Sequence, residues 1–142
     1  MSAAAPRVFV DTSAWLALAN KSANLHARAV DLNQALLARG AYYVTTDAVL
    51  AEVANSLARP PLRRGGIRFL SAIFSSRRVT VRHVDADRFA RGWQLYQDRP
   101  DKEWGLTDCT SFLVMADEEI REAFAADRHF QQAGYTSLME PP

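Results

Sequence analysis

Arg7-Val8-Phe9-Val10-Asp11-Thr12-Ser13-Ala14-Trp15-Leu16-Ala17-Leu18 changes periodicity at a single carboxylate. Three apolar residues in a row, two of them β-branched, predict a strand from about Arg7 to Val10. Trp15, Leu16 and Leu18 then mark a short helix, capped near Thr12 or Ser13. A strand, a carboxylate and a helix make the opening of a βα unit.

The pattern recurs along the chain. Asn24 can cap a second helix running towards Gly40, with Ala29, Leu32, Leu36 and Leu37 on one face. Tyr42 to Thr45 reads as the second strand. Thr46 or Asp47 caps the helix after it, which runs through Leu57 and stops at Pro60-Pro61. Leu62 to Phe74 is a helix that turns Ile67, Leu70, Ile73 and Phe74 inwards, with Gly65-Gly66 weakening its start. Val79 to Val84 is the third strand. Asp85 or Asp87 opens a helix carrying Phe89, Trp93 and Tyr96, and Thr107 caps the apolar helix of Asp108. Glu122 to Ala126 is the fourth strand, Arg128 to Ala133 a short helix, and Tyr135 to Leu138 a last edge strand. Strands alternating with helices predict an α/β fold around a mainly parallel sheet. The 142 residues fit one domain, 1–142, with a sizeable core.

A formal net charge of +1 gives bulk charge no say in the choice of partner. Its distribution says more. No acidic residue falls between Glu52 and Asp85, whereas Arg59, Arg63, Arg64, Arg68, Arg77, Arg78 and Arg82 all do. Such a block either meets phosphates or is a solvated helical face. Cys109 is the single cysteine, which excludes an intramolecular disulfide and a cysteine zinc site. No stretch reaches the apolar length of a membrane span, and a cytoplasmic protein is expected. Serine-hydrolase elbow, P-loop and dinucleotide fingerprint are all missing.

Four acids remain to be explained. Asp11 and Asp127 end apolar runs, Asp108 opens the stretch Cys109 to Ala116, and Glu52 lies in Val49-Leu50-Ala51-Glu52-Val53-Ala54. Singly, each has a bland role: a helix cap, a turn, an exposed helical residue. Jointly they have a chemical one. Ligands of an open parallel sheet sit beyond the carboxyl ends of its strands. If the first and last core strands are neighbours, all four acids converge. Clustered carboxylates raise one another's pKa until a divalent cation binds, and such ions promote phosphodiester chemistry.

The motifs around these acids carry a resemblance. Val8 to Leu18 resembles the opening of a PIN-domain nuclease. Glu52-Val53-Ala54-Asn55-Ser56-Leu57 is similar to the second acidic motif of that family. Leu106-Thr107-Asp108-Cys109-Thr110-Ser111-Phe112 is similar to the third motif of VapC-like toxins, the ribonuclease halves of VapBC toxin–antitoxin pairs. Ala126-Asp127-Arg128-His129-Phe130 matches the fourth, and His26 fits the early helical pattern. The resemblance spans Val8 to about Leu138, with the acids in family order.

It implies a PIN-type α/β/α sandwich and an endoribonuclease dependent on Mg²⁺ or Mn²⁺. Asp11, Glu52, Asp108 and Asp127 would be the catalytic metal ligands, Glu52 directly or through water. The implied partners are an RNA substrate, a cognate VapB-like antitoxin and a second copy of the chain. Thr12, Thr110, Arg63 and Arg64 are the expected substrate contacts, the threonines equally being first-turn residues. His129 is expected to be structural. Trp104 either stacks on a base or packs, and packing is favoured. The rival readings are a PIN-domain ribonuclease of RNA processing without an antitoxin, a non-catalytic PIN binding module, and a phosphotransferase or phosphatase with Asp11 as nucleophile. The last lacks a second acid two residues on, where Ser13 stands.

Overall fold

The computed structural model describes residues 5–139. Strand β1 (Arg7–Val10) leads into α1 (Thr12–Ala19) and α2 (His26–Ala38). Next come β2 (Tyr42–Thr46), α3 (Asp47–Ser56), α4 (Leu62–Ser75) and β3 (Val79–Arg82). The chain continues through α5 (Ala86–Asp98), α6 (Leu106–Asp117), β4 (Glu122–Phe124), α7 (His129–Gln132) and β5 (Thr136–Ser137). The strands form one parallel sheet in the order β3-β2-β1-β4-β5.

β1 is central, and its Val8, Phe9 and Val10 are wholly buried. Neighbouring residues of a strand point to opposite faces, so both faces of the sheet are covered by helices. This is the α/β/α sandwich expected. β1 pairs with β2 on one side and β4 on the other, with Val10 opposite Phe124. The chain therefore changes direction across the sheet at β1 and β4, and their carboxyl ends frame the crevice where such sheets bind ligands.

Trp15 shows how α1 is seated. Its indole N–H donates to Thr45 Oγ1 at 3.2 Å, and that hydroxyl donates to the Val10 carbonyl at 2.9 Å. A buried indole thus keeps its hydrogen bond while its ring packs edge-on to Tyr43 and Phe69.

Several local expectations are corrected. α1 is capped by Asp11, whose carboxylate accepts the Ser13 N–H, not by Thr12 or Ser13. Leu25 rather than Asn24 stands at the N-cap of α2, without a side-chain bond. Thr46 and Asp85, each one of the two residues expected, do cap α3 and α5. Gly105 rather than Thr107 is the N-cap of α6, and the Asp108 carboxylate reaches back to the Gly105 N–H at 2.9 Å. β3 stops at Arg82 and β4 at Phe124, because pairing partners end there. Leu37 on α2, Ile67 and Phe74 on α4, and Phe89, Trp93 and Tyr96 on α5 all face outwards. Gly66, read as a weak point, lets α4 approach α3: a Cβ there would stand 2.9 Å from the Leu57 Cβ.

Candidate active site

Asp11 sits one residue past β1, and its N–H donates to the Phe124 carbonyl at the end of β4. Asp127 sits three residues past β4, and Asp108 lies in the first turn of α6. The adjacency of β1 and β4 brings these three acids together.

Asp11 is 3% exposed. Its Oδ2 accepts from Ser13 Oγ at 3.0 Å. The same Ser13 hydroxyl oxygen accepts the Ala126 N–H at 2.9 Å, so one small side chain ties the ends of β1 and β4. Burial, and then the charges of Asp127 and Asp108, push the Asp11 pKa up to about 7. Burial also raises Asp108, against the Gly105 N–H and the nearby His129 ring. Paired rises of this kind mark carboxylates that lack a compensating cation.

His129, expected to be structural, stands among the acids. Its Nδ1 lies 3.0 Å from Asp108 Oδ2 and 3.8 Å from Asp127 Oδ1. Its N–H donates to Asp127 Oδ1 at 3.0 Å. Donor atoms of Asp108, Asp127 and His129 all lie within 4.8 Å of one another. The signal was its place two residues after Asp127.

Glu52 stands apart from this tight set. Thr12 Oγ1 donates to Glu52 Oε1 at 2.6 Å, so α3 is linked to the residue that follows Asp11. Thr110 is 2% exposed, and its hydroxyl donates to the Thr107 carbonyl. It therefore fixes the first turn of α6 instead of reaching into solvent. Arg63 donates to the Ala58 carbonyl at 3.2 Å. Neither it nor Arg64 touches the four acids among the described residues. Arg82 is taken up by Glu118, which also binds Arg7. No arginine of the block lines the cavity beside Asp127 and His129. Lys102 and Arg128 do, together with Glu103 and Gln132, and its volume is about 700 Å³. Trp104 packs as favoured, edge-on to Phe112.

The donor set is mostly carboxylate oxygen, the ligand type of hard divalent cations. Its residues fit such an ion, and repulsion between them is what an ion would relieve.

Known proteins resemble this chain over most of its length. The PIN domain family model matches residues 8–134. Proteins named 23S rRNA-specific endonuclease VapC20, from two strains of Mycobacterium tuberculosis, are 33% identical over 131 residues, covering 92% of this chain and 97% of theirs. The crystal structure of M. tuberculosis VapC20, described as a sarcin-ricin loop cleaving toxin, superposes with a TM-score of 0.83 at 32% identity. That match covers 95% of this chain and 99% of the other. VapBC2 from Rickettsia felis, bound to a fragment of promoter DNA, shares the fold with a TM-score of 0.67 at 15% identity, over 92% and 96% of the chains. Four acids in order, the convergence of Asp11, Asp108 and Asp127 at the β1–β4 crevice and a family match over most of the chain lead to one assignment: this chain belongs to the PIN-domain family and is VapC-like.

Proposed function

We propose that this chain is a divalent-metal-dependent endoribonuclease, the toxin half of a VapBC pair. The observation that carries the proposal is the meeting of Asp11, Asp108 and Asp127 at one crevice, where burial and the charges of the other two push the Asp11 pKa up to about 7. Asp11, Asp108 and Asp127 would hold the ion, with His129 beside them and Glu52 at the rim. When bound, Mg²⁺ or Mn²⁺ supplies Lewis-acid stabilisation of phosphoryl charge and a water-derived nucleophile at neutral pH.

The chain's own residues do the positioning. Ser13 aims Asp11, the Gly105 N–H aims Asp108, and the His129 N–H aims Asp127. Glu52 spends one oxygen on Thr12 and keeps the other towards solvent, where it can accept the proton of an attacking water. Identity to VapC20 over nearly the whole chain supports ribosomal RNA, and a loop of the sarcin–ricin kind, as the substrate. The same reading implies a VapB-like antitoxin, a homodimer and a cytoplasmic setting, where ribosomes are. No helix among the described residues is long and apolar enough to cross a membrane.

The test is incubation of ribosomes and of total RNA with purified protein and Mn²⁺ or Mg²⁺, beside the Asp11→Asn variant. A discrete metal-dependent cut in the large-subunit RNA, missing with the variant, is expected. Intact RNA with folded, metal-loaded protein would leave a PIN module that binds without cutting.

A further inference from the structure

Trp104 holds Gln132, which lines the cavity beside the acids. The Trp104 indole N–H donates to Gln132 Oε1 at 3.1 Å. An indole nitrogen only donates, so the amide must point its oxygen at Trp104 and its NH₂ away. Trp104 is a firm anchor. It is 6% exposed, stands edge-on to Phe112 with centroids 5.0 Å apart, and lies under the Arg99 guanidinium. Gln132 itself is exposed and lines the cavity. Among the described residues nothing accepts from its Nε2. With its oxygen directed at Trp104, which does not line this cavity, the side chain presents its NH₂, two N–H donors, to the cavity.

The cations of the same cavity are arranged to match. No hydrogen bond or ion pair engages the Arg128 guanidinium among the described residues. Lys102 Nζ makes only a loose 3.7 Å contact with Asp101, whose charge Arg99 already meets through two bonds of 3.0 Å. Asp101, Glu103 and Asp127 share the cavity wall, but neither cation is held by them in a close ion pair among the described residues, so both are left to face phosphate. A cavity of about 700 Å³ falls within the range of small-ligand sites.

We propose that this cavity holds the nucleotide next to the cut, with Lys102 and Arg128 on its phosphate and Gln132 reading its base as a fork of donors that selects guanine over adenine. The proposal rests on the nuclease reading of the adjoining acids. Guanine presents two acceptors, N7 and O6, on one edge. Adenine presents N7 beside an amino group, and that amino group meets another donor. An unpinned glutamine would serve adenine through its own oxygen and nitrogen, but here the bond from Trp104 turns the oxygen away from the cavity. Trp104 is thus a positioning residue for the readout.

Affinity for short RNA is measured by fluorescence anisotropy in EDTA at low salt, so that cleavage is not needed. The probes are an oligoadenylate and the same oligomer with one guanosine. Wild type is expected to favour the guanosine probe by about 5- to 150-fold, the span of a good base-edge pair. Gln132→Met should lose the preference, and Gln132→Glu should reverse it by replacing donors with an acceptor. Trp104→Phe should shrink it, because the amide is freed to turn. An equal preference in wild type and Gln132→Met, or none in wild type, overturns the proposal. So does RNA binding indifferent to base, alongside Gln132-dependent binding of an arginine-rich peptide, which would give the cavity to a protein partner. Cleavage in Mn²⁺ is scored separately. Base preference without cleavage keeps the subsite and rejects the nuclease; cleavage without preference does the reverse.

Discussion

His129 Nδ1 stands 3.0 Å from Asp108 Oδ2, across 21 residues of sequence, while the His129 N–H holds Asp127. One residue thus touches two of the acids through different atoms. Loss of the ring lets the Asp108 carboxylate turn and removes a nitrogen 3.8 Å from Asp127, whose bond from the backbone N–H remains. His129→Ala is therefore expected to weaken Mn²⁺ binding and RNA cleavage by about 10- to 100-fold, the usual effect of losing such support. Titration calorimetry with Mn²⁺ reads this directly. Tighter binding by the variant would instead mean that the ring competes with the ion.

Asp11 gives the metal-free protein a pH dependence of definite sign. Its pKa stands at about 7 in the fold against an ordinary 3.8. An acid with a raised folded pKa holds its proton more tightly folded than unfolded. Its contribution is most favourable below the unfolded value, declines as pH rises from about 4 to 7, and stays low above. Asp108 is raised too and acts in the same direction. Asp11→Asn carries no such charge. In EDTA, its melting temperature should gain on wild type as pH goes from 4 to 8, by a margin on the order of a few kcal/mol in stability. Mn²⁺ at pH 8 should stabilise wild type and close the gap. A gap independent of pH would mean that Asp11 is not a buried, uncompensated charge.

The sheet and three of its acids were legible because buried parallel strands read as unbroken apolar runs, and Asp11 and Asp127 follow such runs. Periodicity finds an apolar stripe but not what covers it. Phe89, Trp93 and Tyr96 mark such a stripe on α5, yet they are 54%, 48% and 45% exposed, while the buried contact of that helix is Gly92. A glycine carries no hydropathic signal, and its close approach is visible only in three dimensions. The cap of α6 escaped for a related reason: the Asp108 carboxylate serves the backbone behind it as well as the crevice. Lys102, Arg128 and Gln132 were missed because their cavity joins two segments far apart in the chain.

Ser13 joins the two strands whose ends make the site. Its hydroxyl donates to Asp11 and accepts the Ala126 N–H. Ser13→Ala strands that backbone donor and removes a hydrogen bond from a buried carboxylate. A loss of about 1–3 kcal/mol is expected in urea unfolding, together with slower cleavage. Ser13→Thr keeps the hydroxyl and should retain more of both. Full stability in Ser13→Ala would mean that water replaces the bridge.

Gly92 sets how closely α5 lies on α6, the helix that carries Asp108. A Cβ at Gly92 would stand 2.5 Å from Thr110 Cγ2, but at ordinary contact distances, 3.5 and 3.6 Å, from the Thr110 N and Cα. The clash is therefore with one methyl group. Gly92→Ala should gain about 1 kcal/mol in helix propensity and lose about 1–3 kcal/mol to overpacking. The net effect is destabilising, and it shifts the turn that presents Asp108, so cleavage falls as well. Thr110→Ser removes that methyl and keeps the hydroxyl that donates to the Thr107 carbonyl. The double variant Gly92→Ala with Thr110→Ser should then regain most of the lost stability and activity. Such recovery is strong non-additivity, expected only for residues in direct contact. Simple addition of the two single effects would show that the helices meet differently, and that the position of Asp108 does not depend on this contact.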